Sequence, residues 1–196
     1  MRKAFNLILI AGILIGLPIY AWYYLSKGTQ MRKDAMADLS PKAELTNFQS
    51  SLEDDSIFYS DSLLGKNWIV AVIGADSLRV KHLDVLRKIF NQSKEEFSIN
   101  IFTIIGLFPG ELIRDMSQTL QMPVSKTWLK SYMAANHVYP FSTEAYSIPE
   151  QYKDQDVVLL LDKNGKVRNY YSLNNQEEIL ELVRHIPVFL SLKDSK

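Results

Sequence analysis

The sequence predicts an α/β domain, a mixed sheet with helices on both faces, behind one N-terminal transmembrane helix. Three stretches carry this expectation. Leu7 to Leu25 (LILIAGILIGLPIYAWYYL) contains no charged side chain. Trp68 to Ile73 (WIVAVI) is an uncharged run that ends at Gly74 and leads into helical periodicity. That is the pattern of a strand buried on both faces and followed by a crossover helix. Val157 to Leu161 (VVLLL) is a second such run, closed by Asp162-Lys163-Asn164-Gly165, and Asn-Gly supplies the positive φ values of a tight hairpin.

Composition narrows the function. The chain of 196 residues carries 22 basic and 22 acidic side chains, for a formal net charge of +0. With no basic stripe interleaved with aromatics, no nucleic-acid footprint is expected. The cysteine count is zero, which excludes disulfides, thiol catalysis, iron–sulfur ligation and cysteine zinc sites. There is no phosphate loop, HExxH motif or nucleophile–base pair, so no catalytic residue, cofactor or metal ligand is expected and the chain is read as a non-enzyme.

Three parts follow in order: a transmembrane anchor over 1–26, a linker over 27–44 and a globular domain over 45–196. As a helix, the 19 uncharged residues at about 1.5 Å each span roughly 28 Å, close to the hydrocarbon thickness of a bilayer. Tyr20, Trp22, Tyr23 and Tyr24 suit the headgroup level. A cleaved secretory signal is the rival reading, but Tyr-Trp-Tyr-Tyr-Leu stands where small residues should precede a cleavage site. Arg2 and Lys3 precede the segment while Lys27, Arg32 and Lys33 follow it, so flanking charge does not set its orientation.

Within the domain, Pro41 to Asp61 reads as a hairpin of short strands, with Gly65-Lys66 as the turn into the central strand. Asp76 or Ser77 caps a helix whose core face is Leu83, Leu86 and Phe90, joined by Val85 and Ile89. Phe97 to Ile105 is a second strand. Leu107 to Met122 and Ser125 to Ala135 are read as helical, the latter from the spacing of Trp128, Leu129, Tyr132 and Met133. His137 to Gln155 is an irregular connection. Val167 to Ser172 returns from the Asn-Gly turn. A last helix starts with Asn175 and Glu178 as a capping-box-like pair and packs through Ile179, Leu182, Val183 and Ile186. A helix crossover between the first two long strands makes them parallel, and the hairpin adds an antiparallel pair. The resulting mixed sheet is thioredoxin-like.

With that order in place, the sequence resembles the Sco/SenC family, membrane-anchored thioredoxin-fold copper chaperones of cytochrome oxidase assembly. The likeness rests on the single anchor and polar linker, on Leu45 to Gly74 (LTNFQSSLEDDSIFYSDSLLGKNWIVAVIG), on the helix HLDVLRKIF from His82, and on the closing pattern VVLLLDKNGKVRNYYSLNNQEEILELVRHI. The family binds copper through a C-x-x-x-C pair in the first strand–helix turn and a histidine just before the VVLLLD-type strand. Those positions fall near Ala75, Arg79 and Asp154. No residue between Gly74 and Lys81, or between Gln151 and Asp156, is Cys, His or Met, and copper(I) favours such soft ligands. The family's acidic loop after the second strand is replaced by Gly106 to Gly110. The resemblance therefore implies a bacterial inner-membrane protein with its domain on the periplasmic side. It implies a non-catalytic subunit or assembly factor of a respiratory, cytochrome oxidase-type complex; the alternative is a copper carrier with a non-standard His/Met site.

Other residues admit two readings. His82, His137 and His185 lack metal-ligand spacing and are expected at the surface or at helix ends. Met116, Met122 and Met133 are copper thioethers on one reading and gap-filling core on the other. Asp76 with Ser77 is either a reactive pair or a helix cap. Asp54, Asp55 and Asp61 either bind a cation or line a solvated hairpin. His137 to Tyr152 is rich in Tyr, Phe and Pro, the composition of interface anchors. Tyr139, Phe141, Tyr146 and Tyr152 are accordingly candidate interface residues, against the alternative of a loop folded on its own domain. The apolar tail after Pro187 is a further surface that could dock on a neighbour.

Overall fold

The computed structural model describes residues 2–93 and 99–192, with the side chains of 2–11, 114 and 115 outside that description. The chain divides into two compact units, Met1–Asp38 and Leu39–Lys196.

The first unit is one helix, α1 (Arg2–Asp38), which passes through Pro18. The linker expected over 27–44 is helical as far as Asp38, because Lys, Gln, Met, Arg and Ala, all good helix formers, make up most of Ser26 to Asp38. Its large apolar side chains from Ile13 to Leu25 are exposed. Among the described residues no helix is long and apolar enough to cross a membrane. The expected span from Leu7 opens on residues 7–11, whose side chains lie outside the described residues.

The second unit begins earlier than the expected residue 45. Its first strand, β1 (Ala43–Glu44), pairs antiparallel with β8 (Lys166–Ser172). Next comes a hairpin of β2 (Gln49–Ser51) and β3 (Ile57–Tyr59), with Asp55 at φ 62 in its turn and Asp54 accepting from Ser56. The central strand β4 (Trp68–Ile73) is buried along its whole length. It leads to α2 (Arg79–Ser93), β5 (Asn100–Leu107), α3 (Ile113–Thr119), β6 (Trp128–Ala134) and α4 (Ala135–Tyr146). The chain closes with β7 (Val157–Leu161), β8 and α5 (Gln176–Leu190).

The described residues form a six-stranded sheet in the order β1-β8-β7-β4-β5-β6, with β2 and β3 in a separate pair. β4, β5 and β6 are parallel, and β7 runs antiparallel to β4. Alternate residues of β4 feed two cores, as the two-residue period of a strand requires. Ile69, Ala71 and Ile73 pack with Leu83, Leu86, Met116, Leu182 and Phe189, so α2, α3 and α5 share one face. Trp68, Val70 and Val72 pack with Phe58, Leu63, Val138 and Tyr146, which puts the hairpin and α4 on the other.

Three further segments depart from the sequence reading. Of Leu107 to Met122, only Ile113–Thr119 is an α-helix, and Leu107 ends β5. Ser125 to Ala135 is not helical; Trp128 to Ala134 is a strand parallel to β5. Trp128 and Tyr132 join one core while Leu129 and Met133 join the other, a two-residue alternation that the spacing of four apolar residues also satisfies. Residues 137–146 are not an irregular connection but most of α4, whose helical stripe Val138, Ser142, Ala145 and Tyr146 is buried despite Pro140. At the sheet's end, Lys130 of β6 is buried and donates to Glu53 and to Ser117 Oγ at 3.1 and 2.9 Å. The hairpin reaches the same strand through an antiparallel bridge from Leu52 to Ser131.

Candidate functional site at the end of the central strand

The C-terminal ends of parallel strands are where α/β sheets hold ligands. β4 ends at Gly74, beside the end of β5 and the start of β7, since Val72 lies opposite Val157 and Ile73 opposite Ile105. A Cβ at Gly74 would sit 2.1 Å from Tyr139 Oη, and one at Gly106 would sit 2.7 Å from the Ala75 backbone nitrogen. Both glycines are therefore fixed by close approach. The next turn, Gly74 to Arg79, carries Asp76, whose carboxylate accepts from the Leu78 N–H at 2.7 Å just ahead of α2. That is an Asx turn leading into the helix rather than a bond to its first turn.

Behind the turn lies a polar cluster dispersed through the sequence. Asp156, 1% exposed, stands immediately before β7. Its Oδ1 accepts from the Gly74 N–H at 2.6 Å and from Tyr139 Oη at 2.9 Å. Its Oδ2 is 2.6 Å from His82 Nδ1, and His82 is also 1% exposed. One carboxylate thus ties β4, α2 and α4 to the start of β7. Burial, then the neighbouring Asp156 charge, pushes the Tyr139 phenol up, so it remains a donor through the neutral range. His82 Nε2 is buried and, among the described residues, has no hydrogen-bond partner. With Nδ1 taken up by the carboxylate, Nε2 is the ring nitrogen that faces the interior alone.

Arg79 closes the turn. Its guanidinium donates to the Gly106 carbonyl at 2.9 Å and to both Glu111 oxygens at 2.8 and 2.6 Å. It also lies 4.8 Å from the centre of the Phe108 ring. The Arg79 hydrogen bonds hold the Glu111 carboxyl below its ordinary value against the opposing effect of burial. A carboxyl depressed in the folded state stabilises the fold above its unfolded pKa, and that stability is lost as pH falls through the lowered value. Glu111→Gln should therefore cost about 1 kcal/mol at neutral pH. It should also flatten the acid limb of stability measured by denaturant unfolding at stepped pH. Parallel acid limbs for both proteins would refute this.

The residues expected in the site are distributed as follows. The positions near Ala75, Arg79 and Asp154 hold no thiol, thioether or imidazole. His82, expected at the surface, is buried because it shares the helical stripe of Leu86, Ile89 and Phe90. His185 is likewise buried, with Nδ1 2.7 Å from the Tyr171 hydroxyl, while His137 is exposed. Met116 and Met122 are core residues. Of the candidate interface residues, Tyr146 is 0% exposed and so faces no partner. Its ring packs against Phe48 and Val138 inside the second core. Tyr139, Phe141 and Tyr152 are half-buried. Phe141 packs edge-on against Phe48, Tyr152 stacks over Tyr170 at 6.1 Å, and Tyr139 serves the buried cluster. Phe141 also lines a groove of about 420 Å³ beside Met133 and Pro140. Sequence reasoning missed the His82–Asp156–Tyr139 cluster. An acidic residue abutting a fully apolar strand, and a histidine on the apolar stripe of a helix, were its available signals.

Solved structures share this fold. BsSco, a member of the Sco family of cytochrome c oxidase assembly proteins, superposes with a TM-score of 0.62 at 16% identity, covering 79% of this chain and 98% of that one. Yeast Sco1 with copper bound gives 0.57 at 13% identity, covering 79% and 92%. The thioredoxin domain of a thiol-disulfide oxidoreductase from Bacteroides vulgatus gives 0.54 at 15% identity, covering 78% and 99%. The fold is thioredoxin-like. No family model matches the chain, and no curated protein matches it by sequence. The likeness to Sco and thiol–disulfide proteins is thus one of architecture, on a chain with no cysteine.

Proposed function

We propose that this chain is a non-catalytic, membrane-anchored relative of Sco proteins that serves as a subunit or assembly factor of a bacterial respiratory, cytochrome oxidase-type complex. The observation that carries the proposal is the turn at the end of β4. It retains the architecture of copper- and disulfide-handling proteins, yet holds no sulfur and is closed by Arg79, Glu111 and Phe108. With thiol exchange excluded, shape and surface are what the scaffold has left to offer. The anchor is the uncharged run Leu7 to Leu25, whose described apolar side chains are exposed along α1. The domain then works on the periplasmic side of the cytoplasmic membrane through protein contacts, with Phe141 and its groove in the contacting surface.

Purification of the tagged full chain from native membranes in mild detergent tests this. Haem-containing oxidase subunits should elute with it in fixed ratio; a chain that elutes alone, without haem, overturns the proposal. The second reading, a copper carrier, is favoured by one feature: a His82 Nε2 with no partner among the described residues, whose Nδ1 is held by a carboxylate, as metal-bound imidazoles are. A single buried imidazole without a thiolate or thioether is a poor copper(I) site. Stoichiometric, tight copper(I) uptake that disappears in His82→Gln would establish that reading instead.

A further inference from the structure

We infer that the cleft between the segment before β7 and the start of α5 is a binding site for an uncharged, polyhydroxylated ligand, a saccharide of one or two rings. The cleft is about 310 Å³ and is lined by Gln151, Tyr152, Gln155, Ser172, Asn174 and Glu178, with Asn175 at its edge. That volume is at the lower end of small-ligand pockets. Its lining includes four side-chain amides, two hydroxyls and one carboxylate, and no cation. A primary amide presents an acceptor and a donor side by side, which matches a pair of neighbouring hydroxyls, each able to donate and accept.

The polar groups of Ser172, Gln155, Glu178 and Asn175 are held in place before any ligand arrives. Ser172 Oγ donates to Gln155 Oε1 at 2.8 Å, and the Gln155 amide donates to the Gln151 carbonyl at 2.5 Å. The two Glu178 oxygens accept from the Ser172 N–H at 2.7 Å and from Asn175 Nδ2 at 3.0 Å. Tyr152 is fixed by its stacking on Tyr170, and a fixed ring suits the C–H face of a sugar. Burial, followed by the nearby Glu178 charge, pushes the Tyr152 phenol up, which keeps it a hydrogen-bond donor. The same Glu178 charge, unopposed by any lysine, arginine or histidine in the lining, selects against phosphorylated or acidic ligands. The site does not depend on the anchor or on a respiratory partner, so it stands or falls separately from the proposed function.

The test uses the full chain in a detergent without a sugar headgroup, with the asparagine and glutamine side-chain amide resonances followed during titration. Cellobiose should shift the amides of Gln151, Gln155 and Asn174 saturably, with a dissociation constant on the order of 1 mM. Glucose 6-phosphate should bind at least about tenfold more weakly than glucose. The double variant Gln151→Ala, Asn174→Ala, at two exposed positions, should weaken cellobiose about tenfold with an unchanged melting curve. No saturable shift up to about 50 mM, far above ordinary weak affinities, overturns the inference. An undiminished response in the double variant does the same, as does tighter binding of the phosphorylated sugar or a response to tetraglycine alone.

Discussion

Replacing Asp156 with alanine is expected to lower the unfolding free energy of the domain by about 3–5 kcal/mol, since each buried polar group left unsatisfied costs about 1–3 kcal/mol. The carboxylate is 1% exposed and receives Gly74, Tyr139 and His82, so its loss strands three polar groups in the interior at once. It also leaves a void where four elements meet. Asp156→Asn separates the effects, since the amide keeps the volume and the carbonyl oxygen can still accept from Gly74. Equilibrium denaturant unfolding of wild type and both variants provides the measurement. The asparagine variant should fall between the other two. A cost below about 1 kcal/mol for the alanine variant, no more than a surface substitution gives, would mean that the cluster does not hold the fold together.

Removing Met1–Asp38 is expected to move the protein completely from the membrane fraction to the soluble one while leaving the remainder folded. Ten of the 19 residues of the uncharged run are Leu or Ile, each favourable by about 0.3–0.6 kcal/mol near a bilayer centre. If the run spans the bilayer as proposed, it should resist extraction by alkali. The remaining Leu39–Lys196 is a compact unit with its own two cores, so it should keep its circular dichroism and cooperative melting. Full-length protein released by alkaline carbonate without detergent would contradict the anchor. A truncated chain that still pellets with membranes would place the attachment in the domain.

Much of this architecture was legible in the sequence because it is local. β4 is a strand bounded by Gly74. The Asn164-Gly165 turn sits between β7 and β8, with Gly165 at φ 76. The last helix is capped by Asn175, which accepts from the Glu177 N–H. β6 was misread because Trp128, Leu129, Tyr132 and Met133 fit a helix and a strand equally, and only pairing with β5 decides between them. α4 was hidden because Pro140 and a crowd of aromatics lower its helical signal, whereas burial of Val138 and Tyr146 restores it. The site was the least legible part. His82 and Asp156 are 74 residues apart in the chain, and a contact at that distance leaves no periodic trace. The absence of cysteine, by contrast, needed no structure.

The bridge from Leu52 to Ser131 and the ion pair from Glu53 to Lys130 bear on how this domain avoids its own kind. A last strand with open amides invites strand addition by another chain and, from there, polymerisation. Here the outermost strand carries an inward-turned ammonium and wears the hairpin as a guard rail. That edge is thereby less open to backbone templating by another chain.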